Sequence, residues 1–97
     1  MSLALIRDML RLLSQTAESG IYASAQNEVA LLSELVEEVV DMVARIREEI
    51  DYLENADEIE DLLSQVFEWA GTIEEEPDNT MAWMELKDAV DTAMQYI

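Results

Sequence analysis

An all-α, four-helix, bundle-like domain is the fold this chain predicts. Apolar residues recur at helical spacing in four stretches, no stretch sustains the period-two alternation of a strand, and two glycines and one proline are the only strong breakers in 97 residues. One long central helix, about 24–54, is expected among three shorter ones. No linker long enough to separate two units interrupts the pattern, so residues 1–97 are read as a single all-helical domain. That length can bury a core without disulfides.

The first helix is expected from about Leu3 to Glu18, with Leu5, Ile6, Met9, Leu12, Leu13, Thr16 and Ala17 on one face and Gly20 placed to end it. Ser24 is a candidate N-cap for the second. There Leu32, Val39, Ile46 and Leu53 recur every seven residues, Val36, Val43 and Ile50 form an adjacent seam, and Leu35 and Met42 lie between them. Asn55 offers the stop. Asp57 followed by Glu60 has the form of a capping box and starts a third helix whose stripe is Ile59, Leu62, Leu63, Val66, Phe67 and Ala70, with Gly71 near its end and Trp69 off the stripe. Glu74 to Asn79 is the clear loop signal. Asp78, Asn79 or Thr80 then caps a last helix that buries Trp83, Leu86, Val90, Ala93, Met94 and Ile97.

A helix of ~30 residues spans roughly 45 Å, about twice its expected neighbours. Leu32, Leu35, Val36 and Val40 are therefore expected to lack cover within one chain and to mediate self-association as a homodimer.

The charge is uneven. Between Glu34 and Asp91 twenty carboxylates stand against three basic residues, whereas residues 1–33 carry three acids and two arginines. The net charge is −18, yet at 51% hydrophobic residues the chain can offset its folding entropy, so a folded acidic protein is expected rather than disorder. Such a field repels nucleic acid and anionic membrane surfaces and attracts basic proteins. The absence of Cys and His removes thiol nucleophiles, imidazole bases and the usual zinc ligands, and no cofactor or metal is expected. The opening Leu3-Ala4-Leu5-Ile6 run is broken at once by Arg7, Asp8 and Arg11, so it is neither a signal peptide nor a membrane span, and the cytoplasm is the expected compartment.

Three short resemblances add to this reading. Glu34-x-x-Glu37 with Glu58-x-x-Asp61 resembles the acidic signature of the all-helical MazG-type nucleotide pyrophosphohydrolases, which implies magnesium held by those four carboxylates. The helical register, however, sets Glu34, Glu37 and Asp61 opposite the apolar stripes of their own helices, whereas a metal site in a bundle needs inward carboxylates. The segment Glu76-Pro77-Asp78-Asn79-Thr80-Met81-Ala82-Trp83-Met84-Glu85-Leu86 resembles a junction between tetratricopeptide repeats. No second copy occurs at the repeat period, so its local content is a helix–turn–helix corner with Trp83 packed into it. Trp69-Ala70-Gly71 resembles the turn motif of the WXG family of small secreted helical hairpins, but it falls at the end of a third helix rather than between two long ones.

The candidate partner-binding residues are Glu34, Glu37, Glu38, Asp41, Glu48, Asp51, Asp57, Glu58, Glu60, Asp61 and Glu68. Eight acids on the second helix give roughly one charge per 4 Å of axis, against one per ~1.7 Å of duplex DNA. Only with the third helix alongside does the surface approach a DNA-like density. A non-enzymatic module that binds a basic protein is the expected function, of inhibitor, antitoxin or immunity, DNA-mimic or chaperone type. The alternatives are a magnesium-dependent nucleotide pyrophosphohydrolase and a structural assembly subunit.

Overall fold

The computed structural model describes residues 3–51 and 56–97, the side chains of residues 56–58 excepted. Four helices follow in order: α1 (Leu3–Ala25), α2 (Val29–Ile50), α3 (Ala56–Glu75) and α4 (Thr80–Tyr96). Each supplies a stripe at the spacing that keeps one face of a helix inward. Ile6, Leu10, Leu13 and Ala17 on α1 meet Leu32, Val39 and Ile46 on α2, Leu63, Val66 and Ile73 on α3, and Trp83, Leu86, Val90 and Ala93 on α4 in one cluster. The extents of 42 × 19 × 18 Å leave room for two helices side by side along each short dimension at the usual 8–10 Å spacing.

The topology is up-down-up-down around a square. Ser14 reaches Asp91 and Ser24 reaches Thr80, so rising numbers on α1 meet falling numbers on α4. Likewise Arg47 lies over Phe67, while Val40 shares a groove with Glu74 and Ile50 one with Glu60, which makes α2 and α3 antiparallel. Helices α1 and α3 sit on one diagonal and α2 and α4 on the other, and across neither do Cα atoms approach within 8 Å among the described residues.

The boundaries depart from the sequence expectation at the first turn. Gly20 does not end α1; the helix continues to Ala25, and Gly20 is buried within it. The stop is Asn27, with a positive φ of 55°. Its N–H donates to Ser24 O at 3.3 Å and the Glu28 N–H donates to Ala23 O at 3.0 Å, the paired bonds of a Schellman ending with Asn in the left-handed position that glycine more often takes. Ser24, expected to cap the second helix, instead lies in the last turn of α1, where its Oγ donates to Ile21 O at 3.0 Å and pairs with Thr80 Oγ1 at 2.8 Å. Helix α2 therefore starts at Val29, with Glu28 as an N-cap that makes no side-chain bond. The four helices run to 23, 22, 20 and 17 residues, closer in length than a 24–54 central helix implied. Leu53, Asn55 and the Asp57 capping box lie outside the described residues and side chains.

The corner before α4 is as the sequence implied. The Asn79 N–H donates to Glu76 O at 3.1 Å to close a turn, and Asn79 Oδ1 then accepts from the Ala82 N–H at 3.1 Å, satisfying one of the free donors of the first helical turn. Trp83 is fully buried. Its ring packs on Gly20, where a Cβ would overlap the indole, and its Nε1–H donates to Pro77 O at 2.7 Å, so the polar atom that follows the ring into the core is paired.

Candidate functional site

Helices α2 and α3 carry most of the candidate residues, because polar positions there fall opposite the buried stripes. Glu34, Glu37, Glu38, Asp41, Glu48 and Asp51 are all exposed, and so are Glu60, Asp61 and Glu68. The side chains of Asp57 and Glu58 lie outside those described. Since α2 and α3 are neighbours, their outer faces form one surface, but the acids on it are not a single cluster. Glu38 and Asp41 border a groove of about 320 Å³ between α1 and α2, together with Leu12, Thr16, Met42 and Arg45. Asp51 and Glu60 line a recess between α2 and α3 at the opposite edge of α2.

The two ion pairs among the described residues are Arg11 with Asp8 at 3.6 Å on α1 and Lys87 with Asp91 at 2.7 Å on α4. Neither neutralises a carboxylate of α2 or α3. The acid field on that side is therefore uncompensated by paired cations, which leaves it free to act over roughly one Debye length, about 8 Å at physiological salt. Among the described residues no group of three or more acids is gathered closely enough to hold a metal ion. Glu34, Glu37 and Asp61, which the MazG-type resemblance would make magnesium ligands, point to solvent from two helices.

The opposite seam, between α1 and α4, is where charge and polarity are absorbed. Ser14 Oγ donates to Asp91 Oδ1 at 2.6 Å and Lys87 Nζ donates to Asp91 Oδ2 at 2.7 Å. Burial pushes the Asp91 carboxyl upward, but the bonds from Lys87 and Ser14, with the ammonium charge, outweigh it and hold the carboxyl below the ordinary range. The hydrogen bond to Asp91 raises Lys87, against its own partial burial, with Asp91, Glu18 and Asp88 adding favourable charge. Arg7 also donates to the carbonyl of Ile97.

The residues expected to mediate self-association are placed differently from the expectation. Leu32 and Leu35 belong to the core of one chain, and Val36 and Val40 are half-buried. The physical reason is the extension of α1: its last two turns, Ser19 to Ala25, give α2 cover that a helix ending near Glu18 could not supply. Exposed large apolar side chains occur at Leu3, Leu5 and Leu12 on α1, at Tyr22 and Val29 beside the first turn, at Leu31 on α2, and at Met81, Met84 and Tyr96 on α4.

Two features of the α2–α3 seam escaped sequence reasoning. Arg47 stacks over Phe67, 4.3 Å from the ring centroid, so the cation covers the aromatic face rather than pairing with an acid. Gly71, near the end of α3 as expected, is exposed and borders a groove of about 260 Å³ floored by Val40, Val43, Phe67 and Ala70. The heptad-like spacing of Val40, Val43 and Arg47 opposite Phe67, Ala70 and Glu74 is the signal that could have paired these two faces.

Fold and surface together define an all-α four-helix bundle with a closed α1–α4 seam and an open, acid-flanked α2–α3 seam. No helix among the described residues is long and apolar enough to cross a membrane. No protein-family model, curated protein or solved structure matches the chain.

Proposed function

We propose that this protein is a small non-enzymatic binding module whose α2–α3 side engages a basic protein. The observation that carries the reading is the set of nine exposed carboxylates at Glu34, Glu37, Glu38, Asp41, Glu48, Asp51, Glu60, Asp61 and Glu68, none with an ion-pair partner among the described residues. A surface of that kind accelerates encounter with a positive partner and selects against nucleic acid. The partner classes that fit are a DNA-binding protein, a nuclease, a toxin or a basic effector.

The test is capture of the partner followed by association kinetics. Glu37→Lys with Asp41→Lys should slow association severalfold and flatten its salt dependence, while Arg7→Glu with Arg11→Glu leaves both unchanged. Binding that is insensitive to salt, or equal losses from the two double variants, would sink the reading. A second reading, an assembly subunit, draws on the exposed Leu3, Leu5 and Leu12 of α1. Light scattering across micromolar concentrations tests the second reading, which requires association beyond a dimer in the absence of any partner.

A further inference from the structure

A glycine in a helix interior costs roughly 0.5–1 kcal/mol relative to alanine. Gly20 has a packing reason to be there, because the Trp83 ring occupies the place of its side chain. Gly71 has none: a Cβ built on it would meet no atom within 4 Å. What its missing side chain leaves is room, on the wall of the 260 Å³ groove between α2 and α3. A dry cavity of about 150 Å³ already accepts a benzene ring, so this open recess is large enough for a leucine or phenylalanine side chain.

The groove continues past the Arg47–Phe67 pair. Both residues line it on one side and, on the other, a second recess of about 310 Å³ bounded by Ile50, Asp51 and Glu60. The seam thus holds two recesses of different chemistry in line: one floored by aliphatic side chains at Gly71, the other walled by two exposed carboxylates. Arg47, held on the ring, divides them.

We propose that this seam docks one amphipathic helical segment of a basic partner, an apolar side chain filling the recess at Gly71 and a lysine or arginine entering the recess between Asp51 and Glu60. Charge decides the occupant. Glu74 borders the first recess and Asp51 and Glu60 the second, and none of them has an ion-pair partner among the described residues. An acidic segment would be repelled, and so would a second copy of this chain, which brings a net charge of −18. Two recesses in line along a helix–helix groove match the way an amphipathic helix presents anchors on successive turns. The inference rests on the reading of the α2–α3 side as a surface for basic partners and adds where the partner's apolar anchor goes.

The experiment titrates the isotopically labelled full chain with two synthetic peptides of equal charge, an amphipathic leucine–lysine helix and an oligolysine, and repeats this with Gly71→Leu. The parent chain should bind the leucine-bearing peptide about tenfold or more tightly than oligolysine, as burial of one leucine side chain implies, with amide shifts centred on Val40, Phe67 and Gly71. Gly71→Leu should erase that advantage, keep its oligolysine affinity and melt no lower than the parent. If Gly71→Leu retains the advantage, the groove is overturned while the acidic surface stands. If neither peptide binds, both fall. A mass that doubles with concentration in the parent but not in Gly71→Leu would assign the seam to a second copy and overturn the basic segment.

Discussion

The α1–α4 seam and the α2–α3 seam face each other across the bundle, and each contains a helical glycine. On the α1–α4 side the glycine is filled from across the seam by Trp83, the Ser14–Asp91–Lys87 chain is paired, and Ser24 is tied to Thr80. On the α2–α3 side Gly71 faces open space, Arg47 covers a ring instead of an acid, and the flanking carboxylates are unpaired among the described residues. Stability and surface chemistry are thus assigned to opposite edges of the same small fold. Space at one seam is consumed by interlocking side chains, and at the other it is left accessible.

The sharpest way to break the comparison is at the closed seam. Trp83→Ala removes a fully buried ring and its bond to Pro77, and should cost about 3–5 kcal/mol, a large share of the ~5–15 kcal/mol typical of a domain. Gly20→Ala forces a methyl into the indole and should cost about 1–3 kcal/mol despite alanine's better helix propensity. Denaturant melts of both variants give the values; a Gly20→Ala chain as stable as the parent would mean that the seam is not interlocked.

The Ser14–Asp91–Lys87 chain is the next largest effect. Ser14→Ala should cost about 1 kcal/mol at neutral pH, since a hydrogen bond from a buried hydroxyl to a half-buried charged acceptor is lost. The Asp91 side chain is 38% exposed and that of Lys87 31%, so the ion pair itself is held to the modest contribution of a surface pair. The folded Asp91 carboxyl is depressed, so its contribution is complete above the unfolded value and disappears as pH falls through the folded one. Lys87 is raised, so its contribution is complete below its unfolded value and is lost as pH rises through the folded one. The gap between parent and Asp91→Asn melting temperatures should therefore be flat near neutrality and narrow below about pH 4 and above about pH 10. A gap that already closes near pH 6 would assign the stabilisation to another group.

The smallest effect has the opposite sign. Gly71→Ala should stabilise the fold by about 0.5–1 kcal/mol, because the methyl meets nothing and the unfolded chain loses freedom. A destabilised Gly71→Ala chain would show that the α2–α3 seam closes more tightly than its geometry implies. Opposite signs from the same substitution at Gly20 and Gly71 are the clearest single readout of the two seams.

Amphipathic period belongs to one helix at a time, and what depends on one helix was legible in the chain. Leu32, Val39 and Ile46 are buried as their seven-residue spacing requires, Ile59, Leu63, Val66 and Ala70 of the α3 stripe face inward, Asn79 caps α4, and the Trp83 corner forms where the Pro77 segment placed it. The outward acids Glu34, Glu37, Glu38, Asp41, Glu48 and Asp51 follow from the same register. Quantities that depend on two helices were not legible. Gly20 and Gly71 are alike as letters, and only the ring across the seam makes one a packing contact and the other an opening. Asn27 rather than Gly20 ends α1 because a left-handed residue can be accommodated there, and the added turns then cover Leu32 and Leu35. Distance and register between neighbouring helices decide which apolar residue is covered, which cation finds a ring and which gap stays open, and they are set by the packing of all four faces at once.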